Sequence, residues 1–331
     1  MEYPKFKVCA RCYTFNQSKY ITDTMNGFTI QKTDFPFVCC IVDDASTDGE
    51  QKVIMDYVKA NFDLSEGSAY YQKETDYAQI TYAQHKTNTN CYFAVLLLKE
   101  NHYSRHKPKM QYLSEWVNEV PYEAMCEGDD YWVDQYKLQK QSEVLDAHPD
   151  CMLAFHAINE IYMKHRGRDH IRAQVENREY SGVEWYLTRP AQFASFMLRR
   201  KIYSDDFYIE SVLGKFPAGD IPLLLTCARY GTIIGISDVM SVYRHNDGGW
   251  TCQNRTKEEV WEIAKSHLQF EIFGPEYKKA AWFFYQRECV GYFLPSLRRG
   301  KIYPEFLWAS LKVSLKGTIK SIFLVMRRRY V

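Results

Sequence analysis

The stretch Met125-Cys126-Glu127-Gly128-Asp129-Asp130 sets three carboxylates around one glycine, directly after the small and apolar Ala124, Met125 and Cys126. Carboxylates this close repel one another unless something positive lies between them. A hard divalent cation such as Mg²⁺ or Mn²⁺, which takes oxygen ligands and readily bridges a diphosphate, suits such a group. The competing reading is a solvated acidic turn at a helix N-terminus, where acids are favoured anyway. A second acidic run, Asp43-Asp44-Ala45-Ser46-Thr47-Asp48, follows the apolar Phe37 to Val42. The helix after it needs one cap, which Ser46 or Asp48 supplies, so a pair of acids there points to a ligand. Further along, the planar fork of Arg244 matches phosphate oxygens, an ordinary salt bridge being its alternative. The neighbouring His245 is able to serve as a metal ligand, a phosphate contact or a structural histidine.

These residues need elements to carry them. Phe6 to Tyr13 reads as a first strand and about 18–28 as a helix, with Tyr20, Ile21, Thr24, Met25 and Phe28 at helical spacing. Phe37 to Val42 is a continuous apolar run, the pattern of a parallel strand buried on both faces, and a helix is expected over about 51–61. Cys91 to Leu98 is another buried strand, with a short helix over 111–117 and the acidic strand end after it. The strand, loop, helix alternation predicts an α/β class with a doubly wound sheet, whose ligands bind at the C-terminal ends of the strands. Residues 63–90 are polar, rich in Tyr, Gln and Thr, and carry no readable period.

In the second half, Met152 to Phe155 and Phe193 to Leu198 read as strands, Gly182 to Leu187 as a short helix and Lys164 to Glu179 as a surface excursion. Gly219-Asp220 feeds an apolar helix over 221–230. Thr232 to Ile236 and Val239 to Tyr243 read as two short strands before a polar loop, Arg244 to Trp250. The expected organisation is one domain over 1–250, with a nucleotide-binding half to about 150 and an acceptor half from 151, then a helical region over 251–331.

A formal net charge of +1 gives no global attraction to nucleic acid, and the basic stripe lies on one terminal helix without interleaved stacking aromatics. The ten cysteines are scattered through apolar runs, and the single pair Cys9 and Cys12 has no partner pair, so buried thiols are expected rather than disulfides or zinc. A polar Met1 to Lys7 and the absence of a run of about 18 apolar residues predict a cytoplasmic chain. From Arg298 onward, nine cations face one acid, Glu305. Leu307, Leu311, Leu315, Ile319, Ile322 and Met326 follow helical spacing beside Lys312, Lys316 and Lys320. This predicts a basic amphipathic helix ending in Arg327-Arg328-Arg329 and suited to an anionic membrane surface, which would make the protein peripheral on the inner face of the cell membrane.

Taken in order, these motifs resemble family 2 glycosyltransferases of the GT-A fold. Thr14-Phe15-Asn16-Gln17 is similar to that family's opening threonine-tyrosine-asparagine turn. Val42 to Asp48 resembles its aspartate-aspartate-x-serine-x-aspartate loop. Glu127 to Trp132 resembles its metal-binding acidic motif, with the familiar helix beginning Lys137-Leu138. Phe216 to Asp220 and Tyr243 to Trp250 fit its catalytic and closing-loop regions. Departures are Tyr13 for a proline, Phe15 for a tyrosine, and Gly219 where glutamate is more frequent.

The resemblance implies a Rossmann-like GT-A sheet with helices on both faces and a nucleotide-diphosphate sugar donor. Asp130 would hold Mn²⁺ or Mg²⁺, with His245 as a further ligand or diphosphate contact. Thr14 and Phe15 would line the base pocket, while Asp43 and Asp44 would accept hydrogen bonds from base and ribose. Asp129 would assist through the ribose or a metal-bound water, and Arg244 would pair with phosphate. Asp220 would be the general base of an inverting transfer to a glycan or lipid-linked acceptor in surface-polysaccharide synthesis. The rivals are a nucleotidyltransferase, whose glycine-bearing phosphate loop is missing from Thr14 to Tyr20, and a nucleotide-sugar-binding protein without transferase activity.

Overall fold

Every residue of β2 (Phe37–Asp43) and of β6 (Cys91–Leu98) is buried, and the two strands pair in parallel. Alternate side chains go to opposite faces of a strand. Phe37, Cys39 and Ile41 therefore join one core with Ile21, Met25 and Phe28 of α1 (Ile21–Thr29), Ile54 and Val58 of α2 (Glu50–Asn61) and Leu138 and Leu145. Val38, Cys40 and Val42 join a second core with Leu113, Trp116 and Val117. Helices thus cover both faces, and the continuous apolar pattern follows from that.

The structure is a computed structural model that describes residues 3–163, 169–246 and 255–327. Asp247-Gly248-Gly249-Trp250 of the expected closing loop, residues 164–168 of the excursion, and Arg328 and Arg329 lie outside the described residues. The chain divides into two units. The first holds 1–180, 190–204 and 230–246, and the second 181–189, 205–229 and 247–331. Where a boundary near 250 was expected, the second unit also takes two segments from the middle of the chain.

The first unit is built on one mixed sheet. In chain order its strands are β1 (Val8–Thr14), β2, β3 (Phe62–Asp63), β4 (Tyr71–Glu74), β5 (Ala78–His85), β6, β7 (Tyr122–Met125), β8 (Tyr131–Trp132), β9 (Cys151–Tyr162), β10 (His170–Ile171), β11 (Glu179–Tyr180), β12 (Met197–Arg199) and β13 (Thr232–His245). Their order across the sheet is β11-β13-β9-β12-β7-β1-β2-β6-β5-β3. β7, β1, β2 and β6 run parallel. β12 is antiparallel to both β7 and β9, and β13 is parallel to β9. Two reversals restore the direction, so β13 ends on the same edge of the sheet as β1, β2 and β7.

Three expectations change. Residues 63–90 form β4 and β5, an antiparallel edge whose outer strand is half-buried to exposed. The strand expected over 193–198 is a short 3₁₀ turn, Phe193–Ser195, followed by β12. The two strands expected over 232–243 are one strand, with a register shift between Ile236 and Val239 where Ser237 and Asp238 face solvent. α3 (Ser114–Val117) and α4 (Lys137–Ala147) complete this unit.

The second unit holds α5 (Gly182–Thr188), α6 (Asp220–Tyr230), α7 (Lys257–Leu268), α8 (Lys278–Arg298), α9 (Pro304–Val313) and α10 (Leu315–Arg327). Thr256 and Glu259 form a capping box at the start of α7. The tail expected as one helix is two, because Ser314 adopts an extended backbone (φ −169°, ψ 127°) between α9 and α10. Among the described residues no helix is long and apolar enough to cross a membrane, and every cysteine is buried and unbridged.

Candidate active site

The turns after β1 and β2 are laced together. The Asn16 side chain accepts the Thr47 N–H at 2.8 Å, and the Asn16 N–H reaches Ser46 Oγ at 2.8 Å. Ala45 (φ 62°) and Asn16 (φ 54°) both sit in the left-handed region, a strain that folds tolerate mostly where a loop must hold a particular shape for a ligand. Beneath the turns lies Glu50, fully buried at the start of α2. It accepts from the Thr14 hydroxyl, from the Gln17 N–H at 2.8 Å and from Ser46 Oγ at 2.8 Å. Thr14 is therefore held as part of the frame, while Phe15 stands 44% exposed above it.

The two aspartates at the end of β2 differ in their partners. Asp44 is fully engaged: it accepts the N–H groups of His102 at 2.7 Å and Tyr103 at 3.0 Å and pairs with Lys109 Nζ at 2.8 Å. Its carboxylate pins the loop after β6. Asp43 spends one oxygen on the Ser46 N–H (3.1 Å) and Gln51 Nε2 (2.6 Å), while its other oxygen, Oδ2, is buried without a partner. Burial pushes the Asp43 carboxyl up against those two hydrogen bonds. A cleft of about 360 Å³ opens at the ends of β2 and β6, lined by Ser46, Gln51, Gln79, Leu98 and Lys99 among others. A donor group on a ligand is what Asp43 Oδ2 lacks.

The acidic loop after β7 meets these turns at Gly128. A Cβ there would lie 2.2 Å from Thr14 Oγ1 and 2.5 Å from Gln17 Oε1, so only glycine fits. Thr24 of α1 donates to the Asp130 carbonyl at 2.6 Å. Asp130 is buried, and its Oδ1 accepts the Arg244 N–H at 2.9 Å. Asp129 Oδ2 accepts from Asn246 Nδ2 at 2.8 Å. The Arg244 guanidinium lies 4.3 Å from the Tyr131 ring centroid, donates to the Asp129 carbonyl at 3.0 Å and is paired with Asp23. Burial raises the Asp129 carboxyl, and it raises that of Asp130 well above the usual range, with the Asp129 charge adding to the effect. Two adjacent carboxylates held this way would be relieved by a cation.

Adjacent residues of a strand point to opposite sides, and Arg244 and His245 do so. His245 stacks on Tyr162 (centroids 4.1 Å apart, 8° between planes), with Nε2 3.5 Å from Glu160 Oε2. Burial works to raise the Glu160 carboxyl, but His245 and Arg172 outweigh it and hold it at about 2. Among the described residues no group of three or more His, Cys, Asp or Glu side chains is arranged to hold a metal ion. The first unit thus brings together Thr14, Phe15, Asp43, Asp44, Asp129, Asp130 and Arg244. His245 is turned to Glu160, and Asp220, the first residue of α6, belongs to the second unit. Sequence reasoning passed over Glu50, Lys109 and Asn246. Glu50 had one signal, an acid at a helix start already supplied with Asp48.

No family model matches the chain. The uncharacterized protein Rv1520 of Mycobacterium tuberculosis and Mb1547 of Mycobacterium bovis are each 29% identical to it over 255 residues, 75% of this chain. The chain spans 62% of the length of these curated relatives. Among solved structures it is similar to S. aureus TarS 1–349 in complex with UDP-GlcNAc, at 14% identity and a TM-score of 0.53, over 97% of this chain and 81% of that one. It is also similar to the longer S. aureus TarS structure, at 16% identity and a TM-score of 0.51, over 96% of this chain and 55% of that one. The fold is the mixed α/β fold of GT-A glycosyltransferases, with a helical C-terminal region.

Proposed function

We propose that this chain is a glycosyltransferase of the family 2 kind that moves a sugar from a nucleotide-diphosphate sugar, a uridine one by preference, to a hydroxyl of a glycan or lipid-linked acceptor in cell-surface polysaccharide synthesis. One observation carries the reading: two buried carboxylates, Asp129 and Asp130, and the unpartnered Asp43 Oδ2 stand at one edge of a parallel sheet, where such sheets bind ligands. The similarity to a TarS structure holding UDP-GlcNAc supports the choice of donor.

Each residue then has a task. Asp43 Oδ2 accepts an N–H or hydroxyl of the nucleoside, and the exposed Phe15 ring offers a face for the base. The Arg244 side chain, now paired with Asp23, exchanges that carboxylate for phosphate oxygens. Asp129 and Asp130 are hard oxygen donors, too few to enclose an ion alone, which fits Mg²⁺ or Mn²⁺ taken up together with substrate phosphates. Such an ion, when bound, neutralises the leaving diphosphate. His245 is excluded from this set by its contacts with Glu160 and Tyr162. Asp220 is the general base for the acceptor hydroxyl, and one base without a covalent intermediate gives inversion.

The test is calorimetric binding of UDP and GDP, each with and without Mn²⁺, followed by transfer assays of the Asp220→Asn variant. Mn²⁺-dependent binding of UDP is expected, with transfer reduced about 10²–10⁴-fold in the variant while UDP binding persists. If neither nucleotide binds the folded protein, the transferase reading fails. Binding without transfer or donor hydrolysis in the unaltered protein would reduce it to a nucleotide-sugar binder.

A further inference from the structure

The last helix turns its polar side inward. Gln286 of α8 donates through Nε2 to the carbonyls of Ser310 and Ser314, each at 2.9 Å, and to Thr318 Oγ1 at 3.2 Å. Gly317 packs so tightly on Gln286 that a Cβ would lie 2.2 Å from its Oε1. Thr318 and Ser321, on the same side of α10, are buried. The apolar residues point the other way: Leu315 and Phe323 are each 64% exposed, and Ile319, Met326 and Trp308 of α9 are exposed with them. At about 100° per residue, Leu315, Met326, Ile319 and Phe323 span an arc of about 80°. Lys316 and Lys320 border it at about 100° and 140°. A helix that only packs on a water-soluble unit has the reverse arrangement.

We propose that this inverted face of α10, continued by Trp308 and Lys312 of α9, is a docking surface for an anionic lipid bilayer. The apolar side chains enter the boundary between headgroups and acyl chains, and the lysines reach the anionic headgroups. Charge selects this occupant. From Phe306 to Met326 there are three lysines and no acid, Arg298, Arg299 and Lys301 precede them, and the intervening Glu305 is already paired with Lys257. A second copy placed over the same face by a two-fold axis would set lysine rim against lysine rim. This inference does not depend on the reading of the active site.

The full chain is sedimented with vesicles of phosphatidylcholine alone and of phosphatidylcholine mixed with phosphatidylglycerol. Pelleting is expected only with the anionic vesicles. Phe323→Glu should lower the partition coefficient roughly tenfold or more. Lys316→Gln combined with Lys320→Gln, which keeps the apolar arc, should lower it about fivefold per lysine. All three side chains are exposed, so the variants' melting curves should overlie that of the unaltered protein. Removing α9 and α10 is a poorer test, because it strips Gln286 of its partners. Equal pelleting with neutral vesicles, no pelleting, or unchanged partition of both variants would overturn the proposal. So would a dimer that Phe323→Glu dissociates while lipid binding is absent.

Discussion

Asp130 Oδ1 accepts the backbone N–H of Arg244 at 2.9 Å across a sequence separation of 114 residues. This bond ties the loop after β7 to the end of β13, and it sets what a substitution at Asp130 should do. In Asp130→Asn the amide oxygen still accepts that N–H, while one of two mutually repelling buried carboxylates is gone. Thermal stability should hold or rise, and Mn²⁺-dependent UDP binding should weaken at least about a hundredfold. Undiminished metal-dependent binding in calorimetry would show that the loop is not the cation site.

The two aspartates after β2 should separate in the same pair of measurements. Asp44→Ala leaves two N–H groups and the Lys109 ammonium without their shared acceptor, a loss of about 3–5 kcal/mol, so its melting temperature should drop sharply. Asp43→Asn keeps an oxygen for Ser46 and Gln51 and turns the unpartnered Oδ2 into an amide nitrogen. Its melting point should stay close to the original while UDP binding weakens about tenfold, near the value of one hydrogen bond. Equal UDP affinity in Asp43→Asn would mean that Oδ2 meets no ligand.

Lys137 is fully buried, 4.1 Å over the Trp132 ring and bonded to Gln141 Oε1 at 2.6 Å, and burial lowers its ammonium from 10.5 to about 7. The nearby buried His156 is kept neutral by the same burial and by Lys137 itself. With the folded value below the unfolded one, the unfolded chain holds more protons between about pH 7 and 10.5, so this group makes stability rise with pH across that window. Its cost is present in full below about 7 and absent above 10.5. Urea titrations at several pH values should show that slope, and Lys137→Met should remove it and gain stability at neutral pH. A slope that survives the substitution belongs to another group.

Gly128→Ala places a methyl group against Thr14 Oγ1 and Gln17 Oε1, both anchored through Glu50. A loss of about 1–3 kcal/mol is expected, together with weaker UDP binding, because the strain falls on the turn that carries Phe15. A stable variant with normal UDP binding would separate the two loops functionally.

The parallel core was legible because β2 and β6 are buried on both faces, which forces runs without a polar interruption. β4 and β5 were not, since an edge hairpin alternates weakly and this one is written in Tyr, Gln and Thr. Ser237 and Asp238 read as a break between strands, whereas one strand absorbs them as a bulge. Ending that strand at Tyr243 also hid the geometry of the site. Continued to His245, strand alternation alone sends Arg244 and His245 to opposite sides. The tail read as one helix because its leucine spacing runs through Ser314, and no residue type there announces an extended backbone. The engagement of Asp44 by Lys109 spans 65 residues and leaves no mark in local pattern.

The position of β13 has a consequence for how the protein is made. A ribosome has built the acidic loop by residue 130, yet the N–H that receives Asp130 and the amide that receives Asp129 arrive only with residues 244 and 246. β12, which lies between β7 and β9, also emerges late. A nascent chain stalled before residue 232 therefore carries a strand edge on β9 and two carboxylates with no framework around them. Competence for a nucleotide would be acquired abruptly, in the closing third of translation, rather than growing with the first half of the chain.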